Sequence, residues 1–221
     1  FTPELKQKWL DYYEDVCVLA FPTPAGDFKI SDIREKALYF RDPFSSMPGV
    51  KPFLPSLATY TEPGKGTAIS PDKIIDVSSF LKPDGTLAWK VPQGNWTIMR
   101  FGSRNNGALT RPAPLPGLGF EADKFDTAAI NEHLANFTGK LLAKTGMPDK
   151  KLQGGLKMLH MDSWEMGAQN WTLKLREEFK KRRGYDPLPF YPVYAGLVVE
   201  SLEKSERFLW DLRQTSQELV V

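Results

Sequence analysis

Asp162 and Glu165 stand in the string His160-Met161-Asp162-Ser163-Trp164-Glu165, between an apolar run and the start of a polar-aromatic stretch that reaches Trp171. Two carboxyl groups of this kind are what cleavage of a glycosidic bond requires: one protonates the leaving oxygen, and the other serves a water molecule or the anomeric carbon. Trp164 or Trp171 beside Glu165 would strip water from its carboxyl and raise its pKa toward that of a working acid. The spacing alone does not choose between this and a plainer arrangement. In the plainer one, Asp162 caps the loop or the next helix, Glu165 faces solvent and the tryptophans are core.

Other residues join the string as candidates. His160, Asp162, Trp164 and Asn170 are candidates to touch a substrate; a His–Asp pair two residues apart at a strand end can point to one face, although a satisfied buried histidine is the better explanation of His160. Glu121 and Asp123 lie on a second loop, just before a helix. They could bind sugar hydroxyls or a hard cation such as calcium, but acids at a helix start are also favoured by the helix dipole alone. Arg104-Asn105-Asn106-Gly107 reads as a turn that could line a pocket. With two histidines in the chain, a histidine-rich zinc site is not expected.

The elements that would position these residues follow from the hydrophobic pattern. Residues 3–14 read as a short helix through Leu5, Trp9, Leu10 and Tyr13. The apolar run 16–21 reads as a buried strand, and its lack of alternation suggests a parallel sheet. A Pro- and Gly-rich excursion covers 43–72. Residues 74–77, 87–91 and 96–101 read as three strands of a small antiparallel unit joined by Pro- and Gly-bearing turns. Thr127–Lys144 is a predicted helix with Ile130, Leu134, Phe137, Leu141 and Leu142 on one face. A strand at 156–161, a helix from about 173 to 183 and a last helix from about 202 to 219 complete the series. Strand, loop and helix in this order suggest a parallel α/β fold, in which ligands sit beyond the C-terminal strand ends, where Asp162 and Glu165 fall.

Composition narrows the class. The chain has 221 residues, 41% hydrophobic and 25% charged, with a formal net charge of +2. That near-balance gives no electrostatic case for nucleic acid or an anionic membrane, and no apolar run reaches the ~20 residues of a membrane span. The single cysteine, Cys17, excludes an intrachain disulfide and sits in an apolar run, as a buried small hydrophobe would. Phe1 in place of Met, and an apolar end at Leu219-Val220-Val221, lead us to expect a trimmed or internal piece.

Several strings together resemble bacterial α-L-rhamnosidases of glycoside hydrolase family 106. They are Phe21 to Gly26, Trp89 to Gly102, Gly119 to Lys124, His160 to Thr172 and Ser205 to Asp211, so the resemblance runs over nearly the whole chain. It implies an α/β fold, a partial (β/α)8 TIM-type barrel with an inserted antiparallel β unit. The first barrel elements and the Pro-rich loop would take 1–69, the insertion 70–101, and the barrel βα units with the catalytic loop 102–221. It further implies inverting hydrolysis of terminal α-L-rhamnosyl linkages in an oligosaccharide or polysaccharide, with Glu165 as general acid and calcium aiding sugar binding. Glu121 and Asp123 are then the candidate metal ligands, and the setting is periplasmic or extracellular. The general base, roughly 6.5–9.5 Å from the acid in an inverting enzyme, is expected beyond Val221, so this chain alone is expected to be inactive. The contrasting expectation is a non-catalytic carbohydrate-binding protein.

Overall fold

A computed structural model of the chain describes residues 2–40, 63–110, 113–114, 117–146, 158 and 169–220. The strand expected at 156–161 and the string from His160 to Glu165 lie outside these residues, apart from Met158.

Helix α1 (Pro3–Asp11) starts where the rules of helix capping place it: the Thr2 hydroxyl accepts a hydrogen bond from the Leu5 amide, and Pro3 occupies the first turn. Strand β1 (Glu14–Pro22) follows and is the centre of a three-stranded sheet, flanked by β2 (Ile75–Asp76) and β3 (Trp96–Ser103) in the order β2-β1-β3. Both pairings are antiparallel; Glu14 pairs with Ser103 and Pro22 with Trp96 at the two ends of the β1–β3 ladder. The expectation of a parallel strand at 16–21 is therefore corrected. The run is continuously apolar because both faces of a central strand are covered. Cys17, Leu19 and Phe21 enter the main core, while Val18 and Ala20 enter a second cluster with Val77, packed against Trp89 and Trp96. Burial pushes the Cys17 thiol up to about 12, in keeping with an inert core residue.

The β unit expected within 70–101 also differs. Its first and last strands form, but they pair with β1 rather than with each other, and at 87–91 only a single bridge from Leu87 to Leu81 is made. A two-strand ribbon is marginal by itself, whereas β1 offers a buried apolar edge on each side. One parallel bridge, Ile69 to Val199, is present among the described residues.

The helical part agrees with the periodicity. Helix α2 (Ile33–Lys36) is a single turn. The helix expected at 127–144 forms as α3 (Thr127–Leu134), a π-helical turn (Ala135–Gly139) and α4 (Lys140–Thr145). Its apolar face is only partly covered by the described residues: Ile130, Leu134 and Leu142 are half-buried, whereas Phe137 is 71% exposed. Helix α5 (Leu175–Arg183) stops at Gly184, whose φ of +80° suits a glycine, and packs on α6 (Leu202–Val220). Between them a 3-10 segment (Leu188–Ala195) carries Tyr191 and Tyr194 into an aromatic core, in which Phe208 lies 5.7 Å from Phe179 and 5.6 Å from Phe190. No helix of the described residues is long and apolar enough to cross a membrane.

Gly102 is constrained by the Tyr13 ring, which lies where a Cβ would stand. The Tyr13 hydroxyl donates to Asp15 at 2.9 Å, and the Arg100 guanidinium sits 5.5 Å from the ring centre. Gly102→Ala should swing this half-exposed ring into solvent. The expected result is a changed near-ultraviolet tyrosine signal with a melting shift of no more than about 3 °C. A larger loss would mean that Tyr13 anchors α1.

Candidate functional site

The antiparallel register brings the start of β1 beside the end of β3, and a cavity of about 680 Å³ opens at that seam. Tyr12 and Glu14 enter it from the α1–β1 junction, Leu38 and Tyr39 from the end of α2, and Ser103 to Asn106 from the end of β3. Glu121 to Lys124 and Gln169 to Leu173 form the remaining wall. The size suits a small ligand, and the lining mixes aromatic faces with carboxylates and amides, the groups that stack on sugar rings and accept or donate to hydroxyls.

Each wall is held locally. The Trp9 indole donates to the Asn105 carbonyl at 3.0 Å, docking α1 on the β3 exit. The Asn105 and Asn106 side chains accept from the amides of Gly107 and Ala108, at 2.6 and 2.9 Å, and so shape the turn that the sequence placed at a pocket. Tyr39 stands edge-on to Tyr194, 6.3 Å between ring centres, and follows Leu38, whose φ of +57° is unusual for a bulky residue. That left-handed residue ends α2: the Tyr39 amide donates to the Arg34 carbonyl at 2.9 Å. Burial, then the neighbouring Glu14 and Asp123 carboxylates, raise the Tyr12 phenol above its usual range.

Of the residues singled out in the sequence, Glu121, Asp123 and Asn170 come together in this cavity. His160, Asp162, Trp164 and Glu165 lie outside the described residues. Asn170 uses its side-chain amide to donate to the Ala37 carbonyl at 2.9 Å, so part of its hydrogen-bonding capacity is structural. Asp123 accepts from Gln169 Nε2 at 2.5 Å and from the Phe125 amide at 2.9 Å on one oxygen, and from the Thr172 hydroxyl at 2.7 Å on the other. Glu121 pairs with Lys124 at 2.9 Å. Asp126 caps α3 by accepting from the Ala128 amide at 3.0 Å. A calcium ion needs carboxylate oxygens that face it free of donors, whereas those of Asp123 face hydrogen-bond donors and Glu121 faces an ammonium. As arranged, the two acids do not fit a calcium site, and among the described residues no cluster of three or more His, Cys, Asp or Glu side chains could hold a metal.

Tyr12, Glu14 and Tyr39 line the cavity and were not singled out in the sequence. The apolar pattern points to C-terminal strand ends, as a parallel sheet demands. Glu14 opens its strand, and only antiparallel pairing with β3 turns that position into a pocket wall. The signal available was the Tyr12-Tyr13-Glu14 cluster between a helix and a strand.

Comparison with known proteins places this geometry in context. The family model described as alpha-L-rhamnosidase matches residues 3–221. A protein of Formosa agariphila that carries the provisional name beta-glucuronidase is 37% identical over 219 residues, 99% of this chain and 17% of that protein. The solved structure of a rhamnosidase from Novosphingobium sp. PP1Y is similar at 40% identity with a TM-score of 0.63, over 70% of this chain and 15% of that one. The chain thus spans about a sixth of the length of the relatives it matches.

Proposed function

We propose, for a chain that belongs to the alpha-L-rhamnosidase family of glycoside hydrolases, that it supplies part of the active site of an enzyme that removes terminal α-L-rhamnosyl residues from an oligosaccharide or polysaccharide. In this proposal Glu165 is the general acid, protonating the glycosidic oxygen as the bond to the anomeric carbon breaks. Asp162, Trp164, His160 and Asn170 contact the sugar, together with Tyr12, Glu14 and Tyr39. A carboxylate elsewhere in a longer protein draws the proton from the attacking water. The reaction inverts the anomeric centre, and the enzyme works outside the cytoplasm, where such glycans are met. The segment around 156–183 is proposed as one βα unit of a partial (β/α)8 barrel, a view supported by α5 following the candidate loop and not by the antiparallel sheet.

The observation that carries the rhamnoside reading is the charge of the cavity. Among the described residues, four carboxylates line it, Glu14, Glu121, Asp123 and Asp126, against the cations Lys124 and Arg104. Both cations are engaged, Lys124 with Glu121 and Arg104 with the Trp9 ring, 5.9 Å from its centre. A neutral deoxy sugar tolerates such walls. A glucuronide brings its own carboxylate and, among the described lining residues, would meet like charge with both cations already engaged. The provisional name of the Formosa relative makes the glucuronide the natural second reading.

The test is hydrolysis by the full-length protein of 4-nitrophenyl α-L-rhamnoside and 4-nitrophenyl β-D-glucuronide. We expect turnover of the first, at least about 10²-fold faster than of the second, with β-L-rhamnose as the anomer first seen by proton NMR. Preference for the glucuronide would overturn the substrate assignment, and first release of the α anomer would overturn inversion. Binding of rhamnose without turnover of either substrate would leave a carbohydrate-binding protein.

A further inference from the structure

We infer that Tyr39 determines specificity for the sugar: its ring is the apolar platform that receives the C6 edge of a 6-deoxyhexose, and so tells a C6 methyl from a C6 hydroxymethyl group. The inference rests on the reading of the substrate as an α-L-rhamnoside.

The cavity has walls of two kinds. Its carboxylates come from the start of β1 and the loop that leads into α3, whereas Leu38, Tyr39 and Trp171 bring apolar surface from the end of α2 and the segment before α5. Sugar hydroxyls suit the first kind, and the C–H surface of a pyranose suits the second. Tyr39 is 53% exposed, yet it is held from behind. Its ring stands edge-on to Tyr194 at 6.3 Å; buried Tyr194 meets Tyr191 at 5.8 Å, and Tyr191 meets Trp171 at 6.0 Å. Tyr39 and Trp171 thus rest on the same pair of buried tyrosines. The Tyr194 hydroxyl donates to the Asn170 carbonyl at 3.5 Å and the Asn170 amide to the Ala37 carbonyl at 2.9 Å, which ties the end of α2 to the Trp171 segment. The backbone agrees. Leu38 takes a φ of +57°, a conformation that a bulky residue keeps only where its surroundings enforce it. That turn leaves the Tyr39 amide on the Arg34 carbonyl at 2.9 Å and its ring at the cavity. A ring fixed in this way loses little freedom when a ligand covers it. A methyl group gains by contact with such a face, whereas a hydroxyl placed there gives up water and finds no partner. An apolar wall discriminates against an added hydroxyl by up to about 10²-fold.

L-Rhamnose is L-mannose without the C6 hydroxyl, so the experiment measures kcat/KM of the full-length protein on 4-nitrophenyl α-L-rhamnoside and 4-nitrophenyl α-L-mannoside. The variants are Tyr39→Ala and Tyr39→Gln, with Tyr39→Phe as the conservative rescue. We expect the parent to prefer the rhamnoside by roughly 10–100-fold. Tyr39→Ala should lower kcat/KM on the rhamnoside by roughly tenfold, chiefly through KM, and change that on the mannoside by less than about threefold. Tyr39→Phe should keep the parent's preference, because the face and not the hydroxyl carries it. Equal losses on both substrates would make Tyr39 a structural residue and overturn the inference, as would an unchanged preference in Tyr39→Ala or a Tyr39→Phe variant as poor as Tyr39→Ala. A parent that takes both substrates equally well would overturn it too. If the parent hydrolyses neither, the rhamnoside reading fails and the inference falls with it; if the parent prefers the rhamnoside and the variants do not alter that preference, the role of Tyr39 alone is lost. Should Tyr39→Ala fail to fold, Tyr39→Gln, which fills much of the same space without an apolar face, decides the same point.

Discussion

Glu165→Gln should lower kcat of the full-length protein on an unactivated α-L-rhamnoside by roughly 10²–10⁴-fold, the usual worth of a positioned general acid. Glutamine keeps the shape and one acceptor oxygen but has no acidic proton to transfer. Ground-state contacts to the sugar are then little changed, so rhamnose binding measured by calorimetry should stay within about threefold of the parent protein. The loss should shrink as the leaving group becomes a better anion, because less proton transfer is then needed at the transition state. Near-normal turnover of the unactivated substrate would remove Glu165 from the mechanism. A fall in binding as large as the fall in kcat would make it a binding residue instead.

Arg213→Met is the substitution with the largest effect expected on stability. The Arg213 guanidinium donates to Glu35 Oε1 at 2.6 Å and joins α6 to α2, with the two side chains 26% and 5% exposed. The other Glu35 oxygen is buried and finds no hydrogen-bond partner among the described residues. Removing the arginine leaves a buried carboxylate without its counter-charge, which typically costs about 3–5 kcal/mol. Helix α2 is one turn long, too short to hold itself, and depends on this pair and on Lys36 to Glu206 at 2.5 Å. Its far end presents Leu38 and Tyr39 to the cavity and the Ala37 carbonyl to Asn170, so loosening it should weaken sugar binding as well. The double variant Glu35→Leu/Arg213→Met should recover most of the stability, since the ion pair is then replaced by apolar packing. Thermal melting of the single and double variants checks this. A melting temperature for Arg213→Met equal to that of the parent would show that the pair contributes nothing net.

The strings that resemble the rhamnosidase family do unequal work. Ser205 to Asp211 lies in α6, where Ser205 bonds to Val199, Glu206 pairs with Lys36, Phe208 fills the aromatic core and Asp211 accepts from the Tyr185 hydroxyl at 3.1 Å. That burial pushes the Tyr185 phenol well up. This string builds the scaffold. Glu121 to Lys124, at the end of the string from Gly119, and Gln169 to Thr172, at the end of the string from His160, instead line the cavity. Family likeness in sequence does not separate the two kinds, because a packed core constrains residue types as tightly as a site does.

Helices were the legible part of the fold. The stretches at 3–11, 127–145, 175–183 and 202–220 are readable because a helix writes its own period, caps and glycine stops into consecutive residues. The family was legible too, from strings long enough to be specific. What sequence could not determine was partnership. A continuous apolar run such as 16–21 reports burial on both faces but not the direction of its neighbours, so β1 was expected to be parallel and is antiparallel. That one difference in pairing moved Glu14 from the neglected end of a strand into the cavity wall. It is also the tertiary fold that turned Asp123 from a candidate ligand into a hydrogen-bonded tether, since the residues that occupy its oxygens, Gln169 and Thr172, lie over forty positions away. The residue types and local periods were decided by the sequence; which carboxylates face a ligand and which face the protein was decided only when distant segments met.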